Sequence, residues 1–145
     1  MRALETRESH NWYCISILNE VPMSAEIFKN PFHCMVENDQ KLVWSTKRLW
    51  RLAENLPVFE FELSQFEGLD KDIWFGDWHQ PTVRNVLRHF TKIQNADLSF
   101  PIIISQHGLV MDGVHRICRA QLEGLRSVPA VRFVANPEPD EIIQV

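Results

Sequence analysis

The chain has 145 residues, of which 45% are apolar and 23% are charged, and its formal net charge at pH 7 is −4. These values predict one globular domain large enough to bury a core, with no general electrostatic attraction to nucleic acid or to an anionic membrane. No apolar run approaches the length of a membrane-spanning helix, and the sequence contains no internal repeat or low-complexity segment.

The N-terminal part of the chain is the least informative. Met1–Asn11 is polar and lacks the apolar centre of a signal peptide, so we expect a cytoplasmic protein. The cysteines are widely spaced, without the spacing of a zinc or redox motif, which favours reduced thiols. Trp12–Leu18 has strand character, whereas the mixed stretch from Pro22 to Gln40 indicates loops and short elements. We interpret residues 1–55 as an extension that packs on the core or forms a homodimer contact.

Two amphipathic elements follow. Ser45–Leu56 predicts a helix with Ser45 at its N-cap, an apolar stripe along one side and Pro57 as its stop. In Val58–Leu63 the side chains alternate, so that one face is wholly apolar and the other carries Val58, Glu60 and Glu62. This pattern predicts a half-buried strand. The inward side chains of this strand would be Phe59, Phe61 and Leu63.

The next stretch, Ser64–Gln80, is predicted to be a long acidic and aromatic loop. Trp74 and Trp78 could stack on a base or a ribose, although packing at the rim of the core is the commoner role. Glu67 is a candidate carboxylate for taking a proton from an attacking hydroxyl or for holding a metal ion.

A second amphipathic helix is predicted from Pro81-Thr82 to about Ala96. Its apolar side chains recur at helical spacing and should face the core: Val83, Val86, Leu87, Phe90 and Ile93. The opposite face carries a basic stripe that is either solvated or reaches a phosphate: Arg84, Arg88 and Lys92. Charge is uneven around this helix, since residues 54–81 hold seven acids and one base while residues 82–132 hold seven bases and three acids. This asymmetry suits a metal–nucleotide site, and it also suits intramolecular charge pairing, which is the commoner case.

The stretch from Pro101 to Phe133 carries the strongest pattern. Two apolar runs, Ile102–Ile104 and Leu109–Met111, are separated by a short glycine-containing turn and predict a β-hairpin. The apolar residues that follow fall at helical spacing up to a stop at Gly124. A strand is predicted at Pro129–Phe133, where the alternation returns.

Between the second strand and this helix lies Asp112-Gly113-Val114-His115-Arg116. Unpaired backbone N–H groups at a helix start carry partial positive charge and attract anions, and Gly113 allows the backbone to approach a ligand closely. His115 and Arg116 add side-chain donors, and an arginine can grip a phosphate with two hydrogen bonds. Asp112 fits an N-cap or a ligand of a phosphate-bound Mg²⁺. The alternative is a capped helix without a ligand.

The order of strand, Asp-Gly-x-His-Arg, helix and Gly-Leu-x-x-Val-Pro resembles the ParB/sulfiredoxin superfamily from Pro101 to Phe133, and more loosely back to about Leu56. The resemblance implies an α/β fold, a small mixed sheet with helices packed around it, over residues 56–135. Residues 136–145 would then form a C-terminal tail that begins as a turn-rich, solvated exit.

The ligands of superfamily members indicate which ligand to expect here. They include chromosome-partition proteins that bind CTP, sulfiredoxins that use ATP and free-serine kinases that use ADP or ATP. In each, a turn similar to Gly113–Arg116 holds nucleotide phosphates. The resemblance therefore implies ATP, ADP or CTP with Mg²⁺ as the ligand, held by Asp112, Gly113, His115 and Arg116.

Departures from the family narrow the expected function. Sulfiredoxins carry a catalytic cysteine where this chain has Val114, so we expect no reduction of cysteine sulfinic acid. The sequence ends at Val145, soon after the last predicted strand, so we expect no helix-turn-helix and no direct DNA binding. The free-serine kinases have Asp-Gly-His-His-Arg and a catalytic glutamate after the first strand. Glu67 is similar in position to that glutamate but lacks the flanking His-Glu pattern.

Two classes of function follow from these residues. One is a nucleotide-dependent phosphotransferase or NTPase acting on a small hydroxyl compound, with His115 donating to a phosphoryl oxygen and Glu67 as the base. The other is a non-catalytic nucleotide-sensing or DNA-partition-associated binding module. A ParB-like nuclease is a distant third, because the carboxylates Glu67 and Asp112 form no recognisable nuclease signature.

Overall fold

The computed structural model describes residues 31–76 and 79–144. The strands in that part of the chain are β1 (Phe32–Glu37), β2 (Gln40–Ser45), β3 (Phe59–Glu62), β4 (Ile102–Ile104), β5 (Val110–Asp112), β6 (Ser127–Arg132) and β7 (Glu141–Gln144). The helices are α1 (Thr46–Ala53), α2 (Val83–Gln94) and α3 (Val114–Leu122), and a 3-10 turn at Leu63–Gln65 follows β3.

The strands form two small sheets. The first is four-stranded in the order β3-β6-β4-β5, with β4 and β6 parallel and the other pairs antiparallel. The second is antiparallel and three-stranded in the order β1-β2-β7. The mixed α/β class is thereby confirmed, whereas the expectation of one small mixed sheet is too simple for the described residues.

The hairpin of β1 and β2 makes definite a region for which the sequence indicated only loops and short elements up to Gln40. Glu37 pairs with Gln40, so the connection is a two-residue turn in which Asn38 and Asp39 have φ of 50° and 58°. Positive φ at both turn residues is what a tight hairpin requires, and Asn and Asp tolerate it better than most residues. Trp12–Leu18, the other strand expected in the N-terminal part, lies outside the described residues.

The C-terminal tail is likewise built into the fold. Residues 141–144 form β7, which pairs with β2, so the solvated exit ends before Glu141. Trp44 Nε1 donates a hydrogen bond to the carbonyl of Pro137 at 2.8 Å, and Ser45 N donates to Asp140 Oδ2 at 2.7 Å. These contacts hold the tail against the hairpin. The division of the chain at residues 55 and 135 stays a prediction.

The core lies on both faces of the four-stranded sheet, because successive side chains of a strand point to opposite faces. Ile102 and Ile104 pack with Ile117 and Ala120 of α3 on one face. Ile103 packs on the other face with α1 and the β1–β2 hairpin, through residues that include Met35, Trp44 and Leu49. The sheet therefore places the start of α3, directly after β5, at one end of its strands.

The structure confirms the predicted hairpin of β4 and β5 and the predicted helix before Gly124, which is α3. It also confirms the strand predicted at Pro129–Phe133, which is β6. Helix α1 runs from Thr46 to Ala53, shorter than predicted, and it buries Leu49 and Ala53 while Leu52 is exposed. In β3, Phe61 is buried but Phe59, expected inside, is 40% exposed. No helix among the described residues is both long and apolar enough to span a bilayer.

The expectation that the apolar side of α2 faces the core is wrong. The helix forms where predicted, with the Thr82 side chain accepting a hydrogen bond from Asn85 N, but none of its residues is buried. Four of the five side chains expected inside are exposed, namely Val83, Val86, Leu87 and Phe90. The side toward the protein carries Asn85, His89 and Ile93, which are half-buried. A polar contact with α3, described below, fixes this orientation and overrides the apolar periodicity.

Candidate functional site

Gly113 sits at a position that only glycine fits without strain. Its φ of 113° lies in a region that other residues rarely adopt. A Cβ at this position would lie 2.5 Å from Cγ2 of Ile102 and 2.9 Å from Nη2 of Arg116. The backbone can therefore turn from β5 into α3 directly over Ile102, whose side chain is fully buried.

Helix α3 begins immediately after this glycine. Ile117 N donates to the carbonyl of Gly113 at 3.1 Å, so the amides of residues 114–116 precede the first hydrogen bond of the helix. Such amides lack acceptors within the helix and point their N–H groups outward along its axis. They make the start of α3 locally positive.

Arg116 is held in the first turn by two neighbours. Its Nη2 donates to Asp112 Oδ2 at 2.8 Å, and its guanidinium lies 5.3 Å from the ring centre of Trp50. Trp50 Nε1 donates to the same carboxylate oxygen at 2.9 Å. The arginine side chain is only 12% exposed, and its Nε is buried without a hydrogen-bond partner among the described residues. We refer to Trp50, Asp112 and Arg116 as the Arg116 cluster.

His33 of β1 lies behind this cluster. Burial lowers its pKa to about 4, while the negative charge of Asp112 acts in the opposite direction. Its Nε2 is buried without a hydrogen-bond partner in the described part of the chain. The imidazole is consequently neutral near pH 7, and the positive charge of the cluster comes from Arg116.

A row of three imidazoles runs from α3 across α2 to the preceding loop. His115 Nε2 lies 2.9 Å from His89 Nδ1, and His89 Nε2 lies 3.4 Å from His79 Nε2. Trp74 stacks on His89 and on His115, with centroid distances of 4.5 and 4.8 Å. We call His79, His89 and His115 the histidine chain.

Two members of the histidine chain are poor bases in the folded protein. Burial lowers the pKa of His115 to about 4, and the neighbouring His89, Lys92 and Arg116 act in the same direction. Burial also lowers the pKa of His89 to about 4, assisted by Lys92 and His79. Both rings are neutral near pH 7, so each carries one donor nitrogen and one acceptor nitrogen.

The structure brings Asp112, Gly113, His115 and Arg116 together as the sequence implies. Glu67 is separate: its side chain is 88% exposed and its Oε2 lies 4.0 Å from Lys71 Nζ. No hydrogen bond or ion pair within the described residues joins Glu67 to the Arg116 cluster or to His115. Its catalytic role stays a prediction.

The donors present fit a phosphate better than they fit a free cation. Asp112 Oδ2 already accepts two hydrogen bonds, which leaves Oδ1 for a metal ion. No group of three or more His, Cys, Asp or Glu side chains in the described ranges is arranged to hold a metal. A Mg²⁺ ion here would need the oxygen atoms of a bound nucleotide to complete its shell.

Sequence reasoning missed the residues that support the site. Neither Trp50 nor His89 had a predicted role in the site. Trp74, a candidate for stacking on a base, stacks instead on two imidazoles, and Trp78 lies outside the described residues. The sequence held little signal for these contacts, since Trp50 and Asp112 are 62 residues apart and His89 and His115 are 26 apart.

Cys118, one turn into α3, is half-buried and unpaired, and burial raises the pKa of its thiol. A raised pKa reduces the thiolate fraction and with it the reactivity of the thiol.

Comparison of the chain with protein-family models, curated proteins and solved structures gives no match. The resemblance to the ParB/sulfiredoxin superfamily therefore rests on the Asp112–Arg116 motif and its surroundings.

Proposed function

We propose that the protein is a nucleotide-binding member of the ParB/sulfiredoxin type and that the start of α3 holds the phosphates. The observation that carries the proposal is the pairing of Gly113 with Arg116. Gly113 turns the chain where a Cβ would be too close to Ile102 and Arg116. Arg116 lies over Gly113, and its Nε–H group has no hydrogen-bond partner among the described residues. Amides and a guanidinium aimed at one small region favour a multiply charged anion.

The Arg116 cluster supports this role because it prepares the guanidinium before a ligand arrives. Asp112 and Trp50 fix the position of Arg116, so little side-chain entropy is lost when an anion binds. Asp112 also neutralises the cation in the free protein, and a phosphate would share Arg116 with it. In this proposal Asp112 positions the arginine, and its free Oδ1 is the place for a Mg²⁺ ion that the nucleotide brings.

A place for the base lies next to the phosphate site. Trp50 and Phe100 form an aromatic pair with centroids 5.6 Å apart, and their exposed fractions are 39% and 48%. Exposed aromatic faces beside an arginine suit stacking with a nucleobase. Every base offers such a face, so this geometry supports a nucleotide without selecting among ATP, ADP and CTP.

The test measures nucleotide affinity by calorimetry, with ATP, ADP and CTP in the presence and absence of Mg²⁺. Arg116→Ala should weaken binding by about 10- to 100-fold, the value of one or two charge-assisted hydrogen bonds. Arg126→Ala is the matched control, because it removes an exposed arginine beyond the other end of α3 and should leave affinity unchanged.

Two further measurements keep the test decisive. Because Arg116→Ala leaves Asp112 without its partner and could unfold the protein, Arg116→Lys keeps the charge and should bind more weakly than wild type. Circular dichroism confirms that each variant is folded. Equal affinity of a folded Arg116→Ala variant and wild type, or no binding by wild type at millimolar nucleotide, would overturn the proposal.

A phosphotransferase is the second candidate, and the histidine chain favours it. His115 lies in the first turn of α3, at the proposed phosphate site. Its imidazole contacts that of His89, which in turn contacts His79 in the loop before α2. A row of neutral imidazoles can relay a proton between a reacting group and solvent. The non-catalytic binding module is the outcome if nucleotide binds while no hydroxyl compound or water accepts phosphate.

A further inference from the structure

The three-stranded sheet has two faces with different neighbours. Its inner face carries Met35, Leu42 and Trp44 and packs against α1 and the four-stranded sheet. Successive residues of a strand alternate between faces, so the residues between these three point the other way. We call this other side the outer face, and the side chains that define it are Phe32, Cys34, Val36, Lys41, Val43 and Ile143.

The outer face is apolar and buried, although no described element packs on it. Five of its six side chains are apolar, and three of these, Cys34, Val43 and Ile143, are buried. They form a core cluster of their own whose described members all belong to β1, β2 and β7. A single sheet shields its side chains from water only when another layer packs on them. A further layer is therefore needed over the outer face, and the described residues do not supply it.

Lys41 lies in the middle of the outer face, between Val36 and Ile143 on the neighbouring strands. The residue is 1% exposed, and its Nζ is buried without a hydrogen-bond partner in the described part of the chain. Glu141 is on the same face, opposite Val43, but its carboxylate does not accept a hydrogen bond from Lys41. A buried lysine is costly unless its ammonium group is paired with an anion. The missing layer should therefore be apolar and should bring a carboxylate to Lys41.

We propose that residues 1–30 of this chain cover the outer face and that one of their carboxylates pairs with Lys41. The segment contains the apolar run Trp12–Leu18. It also contains four acids: Glu5, Glu8, Glu20 and Glu26. The segment leads directly into β1, and the chain is anchored at that point because Thr46 N donates to the carbonyl of Pro31 at 3.0 Å.

The segment is long enough and close enough to reach the whole outer face. Residues 19–30 span up to about 40 Å when extended, whereas strands of six residues make the outer face about 20 Å long. The tether gives the segment an effective concentration on the order of millimolar, so weak contacts suffice to hold it. The outer face is also buried in a single chain, without a second copy or a partner protein. None of its residues belongs to the Arg116 cluster or to the histidine chain, so its coverage does not depend on nucleotide binding.

The thiol of Cys34 reports whether the outer face is covered. Cys14→Ser together with Cys118→Ser leaves Cys34 as the remaining cysteine of the full chain, which we call the reporter chain. An aromatic disulfide reagent labels this thiol only when it reaches the sulfur. The folded reporter chain should react at least about 100-fold more slowly than the same chain unfolded in urea.

Charges placed in the apolar run should uncover the thiol. Ile15→Asp together with Leu18→Asp, introduced into the reporter chain, should raise the labelling rate by at least about tenfold, because burying a carboxylate in an apolar layer is costly. Val86→Asp together with Leu87→Asp is the matched control, since both side chains are exposed on α2, and it should leave the rate unchanged. Circular dichroism confirms that each variant is folded.

Glutamine variants identify the carboxylate, and they remain informative if the aspartate variant unfolds, because each removes only a charge. The four acids of residues 1–30 are replaced one at a time in the reporter chain, and one replacement should raise the labelling rate several-fold. The same replacement should have a much smaller effect in a Lys41→Met background, where the ammonium group is absent.

The proposal is wrong if the folded and unfolded reporter chains react at similar rates, or if the two aspartates in the apolar run leave the rate of a folded protein unchanged. It is also wrong if the α2 control raises the rate equally. A rate that rises on dilution from about 100 µM to about 1 µM would assign the cover to a second copy instead. If none of the four acids couples to Lys41, residues 1–30 do not supply its partner.

Discussion

Replacing Gly113 by alanine tests the turn on which the proposed phosphate site is built. The φ of 113° is unfavourable for a residue with a Cβ, and adopting it costs about 1–2 kcal/mol. The added Cβ would also lie 2.5 Å from Cγ2 of Ile102, a side chain with no exposed area. Overpacking of this kind costs about 1–3 kcal/mol. The free energy of unfolding should therefore fall by about 2–5 kcal/mol.

Gly124→Ala is the matched control, because it separates the strain in φ from the steric contact. Gly124 also has a positive φ of 70°, but a Cβ there would meet no atom within 4 Å. Only the backbone term applies, so the expected loss is about 1 kcal/mol. Urea unfolding gives both values from midpoint shifts at constant slope. The melting temperature of Gly113→Ala should be lower than that of wild type by roughly 5–15 °C.

A double-mutant cycle identifies the contact itself. Ile102→Ala removes the Cγ2 atom that the new methyl group of Gly113→Ala would approach, so Gly113→Ala should cost less in that background than in wild type. A loss for Gly113→Ala no greater than that for Gly124→Ala would refute the close approach. Equal cost of Gly113→Ala in both Ile102 backgrounds would refute the assignment of the contact to Ile102.

Two further predictions concern titration and catalysis. The pKa of His33 is lowered to about 4 from an ordinary value of 6.5. The unfolded chain therefore binds a proton more readily than the folded protein does. The neutral His33 does not reduce the free energy of unfolding above pH 6.5, but that free energy falls as the pH drops from 6.5 toward 4. At pH 5 the loss that His33 alone causes is about 2 kcal/mol. His89 and His115, whose pKa values are also lowered to about 4, destabilise the folded protein over the same range. His33→Phe, measured by urea unfolding across this range, should therefore make the loss of stability at pH 5 smaller by about 2 kcal/mol without abolishing it; a loss equal to that of wild type would show that His33 does not contribute. If the protein is a phosphotransferase with Glu67 as its base, Glu67→Gln should keep nucleotide affinity and slow transfer by about 100-fold, whereas transfer at the wild-type rate would remove Glu67 from the mechanism.

The parts of the structure that could be predicted from the sequence are local. The hairpin of β4 and β5, the Asp112–Arg116 turn and α3 follow one another within a short stretch, so turn residues and periodicity are sufficient to place them. The β1–β2 hairpin was missed because its turn is Asn38-Asp39, without the glycine that makes such turns recognisable. Strand β7 was missed because a short strand after two prolines gains its structure only by pairing with β2.

Helix α2 shows where periodicity stops being informative. The pattern correctly predicts an amphipathic helix, but it cannot state which side meets the protein. That choice depends on the contact of His89 with His115 and on the stacking of Trp74, which join three separate segments. The same long-range contacts create the histidine chain, so the misplaced core and the missed site residues have one physical cause.

The histidine chain also constrains how His115 can take part in anion binding. Its Nε2 faces His89, so only its Nδ1 can donate a hydrogen bond to a phosphoryl oxygen. A neutral His115 that donates from Nδ1 must accept at Nε2, which makes His89 Nδ1 a donor and His89 Nε2 an acceptor. The proton between His89 and His79 then belongs to His79 Nε2. If His115 instead binds a second proton, the donor and acceptor roles in the chain reverse. A hydrogen bond from His115 Nδ1 to an anion at the start of α3 would therefore fix the tautomers of His89 and His79 through α2.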